Sequence, residues 1–394
     1  MTSPRILFFG LFVLLPWSLQ GATTDSNRQF LERHWQRPIA PQGEVPASFS
    51  ALEAALDPDS CGTCHTDQLA DWQDSRHAHA MDPGVLGQLL DMEAEDRENH
   101  QECLRCHAPL AEQADGLVAQ MTGQDESGLH RHGMVCAACH VRGHQHHGPP
   151  RRDGSTPQAG EALPHDGFRT SPAFEDARFC ASCHQFPPDG YALNGKLLEN
   201  THEEWKSSRY AREGQTCQSC HMPDRRHLWR GIHNPEMVGQ GVTITSSAAA
   251  AKGRARASLT LRNSATGHYF PTYVTPKIYL EILQEDAEGK PLAGTLKREI
   301  IGREVTLDIT RELSDTRLAP DAQRTLHYDR PLSHSAVALV ARVRVEPDYF
   351  YVRVYRSLLT RGLPDKGIDH IRRALHEARR SGFDLYRQRT PVAP

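Results

Sequence analysis

The chain of 394 residues contains ten cysteines, and all ten belong to five copies of one motif, Cys-x-x-Cys-His. In c-type haem attachment the two thiols bond the porphyrin and the adjacent histidine ligates the iron. The copies are Cys61-Gly-Thr-Cys64-His65, Cys103-Leu-Arg-Cys106-His107, Cys136-Ala-Ala-Cys139-His140, Cys180-Ala-Ser-Cys183-His184 and Cys217-Gln-Ser-Cys220-His221. The composition would give about 0.015 copies by chance. The sequence therefore predicts five covalently bound haem c groups and a redox function.

Three other functions of a Cys-x-x-Cys pair fit this pattern less well. A zinc site takes four ligands from paired knuckles and does not need a histidine directly after each second cysteine. A redox dithiol normally occurs once, near a βαβ pattern, and no such pattern precedes these motifs. Disulfides suit an exported protein, but they impose no histidine at a fixed position in five copies. Haem attachment explains the cysteines and the histidines together.

The second axial position on each iron decides between electron transfer and catalysis. A second histidine gives a six-coordinate iron that changes redox state without gaining or losing a ligand, whereas an open position admits a small molecule. Of the 23 histidines, five lie in the motifs and the other 18 are more than five distal positions require. This supply favours ligation by two histidines throughout.

Five histidines outside the motifs are candidate distal iron ligands. His77 follows the first motif on a predicted helix, and His132 precedes the third motif by four residues. His165 lies in the loop before the fourth motif, and His233 closes the haem-bearing half. His268 belongs to the strand-rich half, so as a ligand it would lock the two halves together. The sequence leaves His100, His202 and His227 unassigned and favours the surface for His34, His144, His146, His147 and His376.

The first 22 residues have the pattern of a secretory signal peptide. Arg5 supplies a short basic region, residues 6–15 are apolar, and small residues surround Ala22. The apolar run is too short for a comfortable membrane span and Pro16 ends it, so cleavage is favoured over retention as an anchor. Export agrees with the motifs, because c-type haem is attached outside the cytoplasm. We expect a periplasmic or extracellular protein with no membrane span in the mature chain.

The charge of the chain gives no indication of a nucleic-acid partner. The formal net charge is −4, and the haem propionates would make the loaded protein more acidic. The paired arginines at 225–226 and 372–373 fit solvated surface better than a docking patch. The expected partners are redox proteins that act as donor and acceptor.

Composition divides the chain into two halves. Residues 23–238 form the predicted pentahaem domain, with about 32 residues per haem between the first and the last motif. Such a segment buries little side-chain core, so the macrocycles should form much of its interior, wrapped in short helices and long loops. Helices are predicted at residues 48–56 and 85–97, and residues 143–172, rich in Gly, Pro and His, should be mostly loop.

Residues 239–358 form a predicted β-rich domain. They lack cysteine, and apolar residues alternate with polar ones in several short runs. Strands are predicted at residues 257–261, 277–283, 338–345 and 349–355, with a turn at 286–289. Strands of this number and length indicate an antiparallel sandwich.

Residues 359–394 form a predicted C-terminal helix and tail. Ile368, Ile371, Leu375 and Ala378 recur at spacings of three and four, and Gly382 follows them. This pattern predicts an amphipathic helix that packs onto the protein. The fold class is therefore α+β: a haem-organised N-terminal domain, mostly of helices and loops, then an antiparallel β-sandwich-like domain and a C-terminal helix.

The haem motifs with their flanking residues resemble those of the cytochrome c554 family. The first motif is followed by Trp72, Ser75 and His77. Further similar stretches are Cys103-Leu-Arg-Cys-His-Ala-Pro-Leu110, Gly133-Met-Val-Cys-Ala-Ala-Cys-His140 and residues 204–223. These stretches are also similar to the wider group that contains hydroxylamine oxidoreductase and pentahaem nitrite reductase. The resemblance covers approximately residues 50–235.

This resemblance implies closely stacked haems that pass electrons along a chain, with His77 of the Ser-x-His segment as an axial ligand. Two departures argue against catalysis. In the pentahaem nitrite reductases a lysine replaces the motif histidine of the catalytic haem, whereas all five motifs here end in histidine. The hydroxylamine oxidoreductases have more haems and a tyrosine cross-linked to the active haem, and no tyrosine here is marked for that role.

The leading hypothesis is an exported pentahaem cytochrome that relays electrons between redox partners through mostly bis-histidine haems, with no catalytic residue assigned. The alternative is a reductase or oxidase of a small nitrogen or sulfur species at one five-coordinate haem, near polar residues such as Arg105, Arg131 and Tyr210. A third hypothesis makes the β-rich domain a module that joins cytochromes into a larger assembly. Enzyme activity stays open, with electron transfer favoured.

Overall fold

The computed structural model describes residues 18–124, 128–156, 161–362 and 366–392. Within them, the N-terminal half consists of short helices joined by long loops, and the C-terminal half contains antiparallel sheets and two longer helices. This architecture confirms the predicted α+β fold class. The apolar run of the predicted signal peptide, residues 6–15, lies outside the described residues.

The helices of the N-terminal half begin and end at local signals in the sequence. They are α1 (Ser18–His34), α2 (Ala51–Ala54), α3 (Pro58–Gly62), α4 (Thr66–Gln73), α5 (Pro83–Leu90), α6 (Arg97–His107), α7 (Ala111–Met121), α8 (Cys136–His140), α9 (Arg178–His184), α10 (Thr201–Lys206), α11 (Arg209–Arg212), α12 (Cys217–His221) and α13 (Pro235–Gly241). Helix α2 begins at a capping box made by Ser50 and Glu53. The helix predicted at 85–97 is two helices, because α5 ends at Leu90 and Asp96 caps a new one.

Four of the five haem motifs end a helix at the motif histidine, namely those in α6, α8, α9 and α12. In the first motif the amide of His65 donates to the carbonyl of Cys61 at 3.0 Å, which makes one helical turn. Residues three apart share a helix face, so both thiols of a motif lie on one side of the turn. The motif spacing therefore sets the local geometry that haem attachment needs.

Short strands and 3₁₀ turns connect these helices. The strands are β1 (Val141–Arg142), β2 (Gln145–Gly148), β3 (Arg169–Thr170), β4 (Ala192–Leu193) and β5 (Lys196–Leu197). Residues 143–172 are mostly irregular backbone in the described part, with β2, β3 and short 3₁₀ turns, as predicted for this loop. Side chains in this half form two small core clusters, one around Leu89 and Leu104 and one around Leu110 and Val135.

The C-terminal half is a sandwich of two antiparallel sheets. Its strands are β6 (Val242–Ala251), β7 (Arg254–Asn263), β8 (Lys277–Glu285), β9 (Lys297–Ile301), β10 (Arg303–Val305), β11 (Glu312–Asp315), β12 (Gln323–Pro331), β13 (Ala338–Glu346) and β14 (Phe383–Pro391). One sheet has the order β12-β7-β6 and the other β14-β13-β8-β9, while β10 and β11 form a hairpin. Apolar side chains of both sheets, such as Leu259 and Leu261 on β7, Ile282 on β8 and Val343 on β13, make one core.

The strand predicted at 349–355 is wrong: these residues begin helix α14 (Tyr349–Arg361). Tyr351, Tyr355 and Leu358 recur at helical spacing and pack against helix α15 (Ile368–Arg380). The predicted C-terminal helix is thus confirmed, and it packs on α5, where a Cβ at Gly87 would lie 2.9 Å from the Cβ of His370. Strand β14 was not predicted, and it extends the sheet by pairing with β13.

Buried polar contacts join the two halves. The guanidinium of Arg303, 1% exposed, donates to the carbonyls of Leu193, Lys196 and Leu197 in the β4-β5 hairpin. The hydroxyl of Tyr210 donates to the carbonyl of Ser264 at 3.0 Å. Because these groups would be costly to bury alone, they fix the position of the sandwich against the haem-motif half. Among the described helices, none is long and apolar enough to cross a membrane.

Candidate haem cavity

The thiols and histidines of all five motifs open onto one cavity of about 2250 Å³. A typical small-molecule pocket has a volume of roughly 300–1,000 Å³, so this cavity is more than twice as large as such a pocket. Its walls come from both halves of the chain, with Phe174 and Trp229 from the first and Tyr273 and Tyr351 from the second. All ten cysteines are free thiols. A large apolar space with paired thiols at its wall fits covalently bound macrocycles.

The separation between histidine rings tests whether an iron could lie between them. A histidine nitrogen ligates a metal ion at about 2 Å, so two imidazoles on opposite sides of one iron have ring centres roughly 6.3 Å apart. Three motif histidines face another histidine at this separation. The pairs are His184 with His77 at 6.3 Å, His140 with His227 at 6.2 Å, and His221 with His268 at 6.4 Å.

Hydrogen bonds at Nδ1 leave Nε2 free in six of the candidate ligands. The Nδ1–H groups donate to backbone carbonyls at 2.5 to 3.1 Å, an arrangement typical of metal-ligating histidines. The acceptors are Ala80 for His107, His147 for His140, Gly167 for His165, Arg230 for His221, Arg225 for His227 and Tyr269 for His268. In two of the facing pairs, both members thus use Nδ1 for the backbone and keep Nε2 available.

Burial keeps these imidazoles neutral. It lowers the pKa of His77 to about 3 and the pKa values of His227 and His268 to about 4. The pKa values of His140 and His221 are lowered for the same reason. Neutral imidazole is the form that binds a metal ion, so the cavity holds these side chains in the form suited to ligation.

The five histidines predicted as distal ligands have different surroundings. His77 and His268 each face a motif histidine, and His165 lines the cavity with Nε2 free. Nε2 of His233 is bonded to the carboxylate of Asp348 at 3.0 Å, so this nitrogen already has a partner. His132 does not line the cavity. The ligand roles of all five stay predictions, and their surroundings favour His77, His165 and His268.

Two histidines that the sequence favoured for the surface are buried instead. His34 is 4% exposed and His144 is 6% exposed. Nε2 of His34 is bonded to the carbonyl of Cys139 at 2.8 Å, and the amide of His144 donates to the side-chain oxygen of Gln42. The surface assignment is therefore wrong for both, because contacts with segments more than 100 residues away enclose them.

His227 is the candidate ligand that sequence reasoning missed. It lies six residues after His221 and faces His140, a motif histidine 87 positions earlier in the chain. Nothing in the local sequence distinguishes it from His202 or His233. Its position close behind the last motif was a weak signal, but only the folded chain brings it opposite His140.

The cysteines of different motifs lie close together. Proximity of the Cys136 thiol lowers the pKa of the Cys61 thiol, which places the first motif next to the third. Two further contacts join the fourth motif to the second and the fifth, through Cys106 with Cys183 and Cys180 with Cys217. Cys139 of the third motif interacts electrostatically with both cysteines of the fourth. The motifs therefore run first, third, fourth, fifth, with the second beside the fourth.

The second motif has distinct polar surroundings. Its histidine, His107, interacts electrostatically with Arg76, whose guanidinium also acts on Asp348, Tyr351 and Tyr355. Burial raises the pKa of Tyr351 to about 12. In the part of the chain that the structure describes, no second histidine ring stands opposite His107 at the separation found for the three facing pairs.

Comparison with known proteins agrees with this geometry. Residues 60–141 match the family model described as cytochrome c554 and c-prime. The match covers the first three haem motifs, so this part of the chain is similar to multihaem c-type cytochromes. None of the curated proteins matches the chain. The fold is similar to that of a penta-heme cytochrome c552 from Thermochromatium tepidum, with a TM-score of 0.56 and 18% identity, over 87% of this chain and 100% of that one.

The structural likeness extends over both halves of the chain. Because it covers most of the chain, the strand-rich half is part of the shared fold. The residues of the cavity fit haem c in donor chemistry, since each motif offers two free thiols and one histidine at its wall. Haem c is thus the cofactor that the family and the cavity imply.

Proposed function

We propose that this cytochrome is an exported electron-transfer protein with five haem c groups, most of them ligated by two histidines. The observation that carries the proposal is the set of three facing histidine pairs with ring centres 6.2 to 6.4 Å apart. Haem iron supplies a reversible one-electron carrier. Two fixed histidines per iron suit that task, because neither oxidation state requires a ligand to bind or leave.

The chain's own residues keep the ligand set constant. Nδ1–H bonds to backbone carbonyls hold the rings of His140, His221, His227 and His268 in one orientation. Burial keeps the same rings neutral across the physiological pH range. A rigid, neutral ligand pair lowers the reorganisation that accompanies each change of charge. These features support electron transfer over substrate turnover.

The order of the motifs supports a path from the first motif to the fifth, with the second motif as a branch at the fourth. Interactions between cysteines join the first, third, fourth and fifth motifs in turn, and Cys106 joins the second motif to the fourth. We therefore place the donor and acceptor sites at the first and fifth motifs. The partners are redox proteins outside the cytoplasm, consistent with the signal-peptide pattern.

Haem counting and spectroscopy test this function together. We expect five haems per chain by pyridine haemochrome assay and a ferric electron paramagnetic resonance (EPR) spectrum dominated by low-spin signals. Each facing pair should contribute one low-spin species. A count below five would overturn the pentahaem assignment, and a spectrum dominated by high-spin iron would overturn ligation by histidine pairs.

A second candidate function is reduction or oxidation of a small nitrogen or sulfur species at the second motif. The observation that favours it is the polar cluster beside His107, in which Asp348 accepts from His233 and lies close to the buried Tyr351. Such groups can donate protons to a bound molecule. A histidine–carboxylate pair has no evident use in simple electron transfer.

Turnover assays with nitrite, hydroxylamine and sulfite test this second function. If it is correct, wild-type protein turns over one of them, and Tyr351→Phe lowers kcat by roughly 10²-fold without changing the haem count. Ser246→Ala, at a hydroxyl on the far sheet that contacts Tyr386, serves as the control. Absence of turnover with all three substrates would contradict the assignment.

A further inference from the structure

The segment that carries His227 has a backbone that its sequence does not favour. Asp224, Arg225 and Trp229 adopt positive φ angles of 55°, 61° and 37°. Residues other than glycine rarely occupy this left-handed region, because the Cβ approaches the carbonyl oxygen. A segment with three such residues keeps this backbone conformation only when contacts with surrounding groups stabilise it. The ring of His227 therefore depends on contacts from elsewhere in the fold.

Asp71 of helix α4 supplies the central contacts. Its carboxylate accepts from Arg226 Nη2 at 2.5 Å, from Arg226 Nε at 3.2 Å and from the backbone N–H of His227 at 3.0 Å. The side chain is buried, with 9% exposed. Hydrogen bonds from Arg226 hold the pKa of Asp71 below its ordinary value, so the carboxylate is ionised. The Asp71 carboxylate thus bonds to the side chain of Arg226 and to the backbone of His227, the candidate ligand.

The neighbouring residue fixes the other side of the same site. Nε1 of Trp72 donates to the carbonyl of Met134 at 2.8 Å, two residues before Cys136. Helix α4 therefore contacts the segment leading to His140 through Trp72 and the segment holding His227 through Asp71. Asp71 and Trp72, which are successive residues of one helical turn, thus contact the segments on both sides of the third haem site. The two histidine rings on these segments have centres 6.2 Å apart.

We propose that Asp71 is a positioning residue for the third haem: it holds His227 at the distance of a distal iron ligand. This inference rests on the proposed bis-histidine ligation. Asp71 does not touch the iron, and it acts through Arg226 and the amide of His227. Its replacement should loosen one axial ligand of one haem and leave the other haem sites as they are.

Spectroscopy of the haem-loaded Asp71→Asn variant tests the role of Asp71. Asparagine keeps the size but removes the negative charge and replaces one acceptor oxygen with an NH₂ donor, so at least one bond from Arg226 is lost and the remaining bonds are no longer charge-assisted at the acceptor. We expect about one fifth of the ferric low-spin EPR intensity to convert to high spin, and carbon monoxide to bind the reduced variant at least roughly 10-fold more tightly than wild type at one haem. His227→Ala should give the same signature in full, and Asp71→Glu should restore part of the low-spin signal.

Asp74→Asn is the matched control, because Asp74 is an exposed carboxylate at the C-terminal cap of the same helix. It should leave the low-spin intensity unchanged. If Asp71→Asn does not load haem, Arg226→Gln tests the same contact from a side chain that is 60% exposed. A low-spin wild type with unchanged spectra in Asp71→Asn or Arg226→Gln would overturn the role of Asp71 alone. A wild type without low-spin signals would overturn the bis-histidine ligation itself.

Discussion

The two nitrogens of a histidine ring make different contacts in this protein. Where Nδ1 is tied to a backbone carbonyl, as in His140 and His268, the ring is oriented and Nε2 is free for a metal ion. Where Nε2 is itself bonded within the protein, as in His34 to the carbonyl of Cys139, the histidine is a structural residue. Burial lowers the pKa of His34 to about 3, so burial alone does not mark a ligand. The hydrogen-bonded nitrogen thus differs between His34 and His140, and only His140 uses Nδ1 and keeps Nε2 available.

His77→Ala should remove the distal ligand of the fourth haem. Its ring centre lies 6.3 Å from that of His184, and its loss would open one axial position. We expect one new high-spin ferric species in the EPR spectrum, with haem content unchanged. His79→Ala, two residues away and exposed, is the control and should have the wild-type spectrum. Identical spectra for both variants would show that His77 is not a ligand.

At the scale of elements, the spacing of residues in the sequence explains the helical turns of the haem motifs. The same kind of pattern wrongly predicts a strand where helix α14 begins. Residues 349–355 alternate aromatic and β-branched side chains with other residues, which is typical of a strand. Over the longer run to residue 361, Tyr351, Val354, Tyr355 and Leu358 recur at intervals of three and four. The segment forms a helix because these four side chains then pack together against the apolar face of α15. A window over the whole of residues 349–361 would have shown it.

Ion pairs between elements hold the β4-β5 hairpin to the sandwich. Lys196 of the hairpin donates to Asp315 of β11 at 2.8 Å, and Arg317 donates to the same carboxylate at 2.9 Å. Burial opposes the ionisation of Asp315, but these hydrogen bonds outweigh it and hold its pKa below the ordinary value. The unfolded chain therefore binds a proton at higher pH than the folded one does.

The stability that Asp315 contributes should be present near pH 7 and lost as the pH falls below about 4. Asp315→Asn should lower the free energy of unfolding by about 2 kcal/mol at pH 7, since it removes charged hydrogen bonds at a side chain that is 14% exposed. The difference from wild type should shrink toward pH 3. Thermal unfolding from pH 3 to 7 measures both effects.

Asp329→Asn is the control for this prediction, because Asp329 pairs with Arg254 in the same sandwich but is 49% exposed. Little change in stability is expected there at any pH, since exposed ion pairs contribute little. A pH-independent effect of Asp315→Asn would contradict the linkage between this carboxylate and folding.

At the scale of the whole molecule, the two halves are stabilised in different ways. The sandwich has a continuous side-chain core that includes Leu259, Ile282 and Val343. The N-terminal half has two small clusters around a cavity of about 2250 Å³. A cavity of that size cannot stay open without its occupants, because its apolar wall would collapse or take up water. Haem attachment should therefore be a condition for folding of the first half only.

Limited proteolysis of protein expressed without haem attachment tests this difference. We expect rapid cleavage within residues 23–238 and a protected fragment that begins near residue 239 and ends at the C-terminus. The loaded protein, digested in parallel, should resist cleavage over both halves. Complete digestion of the haem-free chain would show that the sandwich depends on the haem-bearing half.

The sequence by itself predicts the attachment chemistry of this protein. Two thiols and a histidine within five residues are sufficient to specify a haem c site, because helical spacing brings them to one side of a single turn. The same local reasoning predicted the strands at 257–261, 277–283 and 338–345, since alternation along a strand is a local property. It missed β14, whose identity as a strand depends on pairing with β13.

Only the tertiary structure decided which histidines lie opposite the motifs. A distal ligand reaches its iron across the cavity, so its distance along the chain carries no information about its partner. His77 stands opposite His184, and His268 comes from the sandwich to face His221. His227 became a candidate because the fold places its ring 6.2 Å from that of His140, 87 residues earlier. Covalent attachment is encoded locally, whereas axial pairing depends on contacts between distant segments.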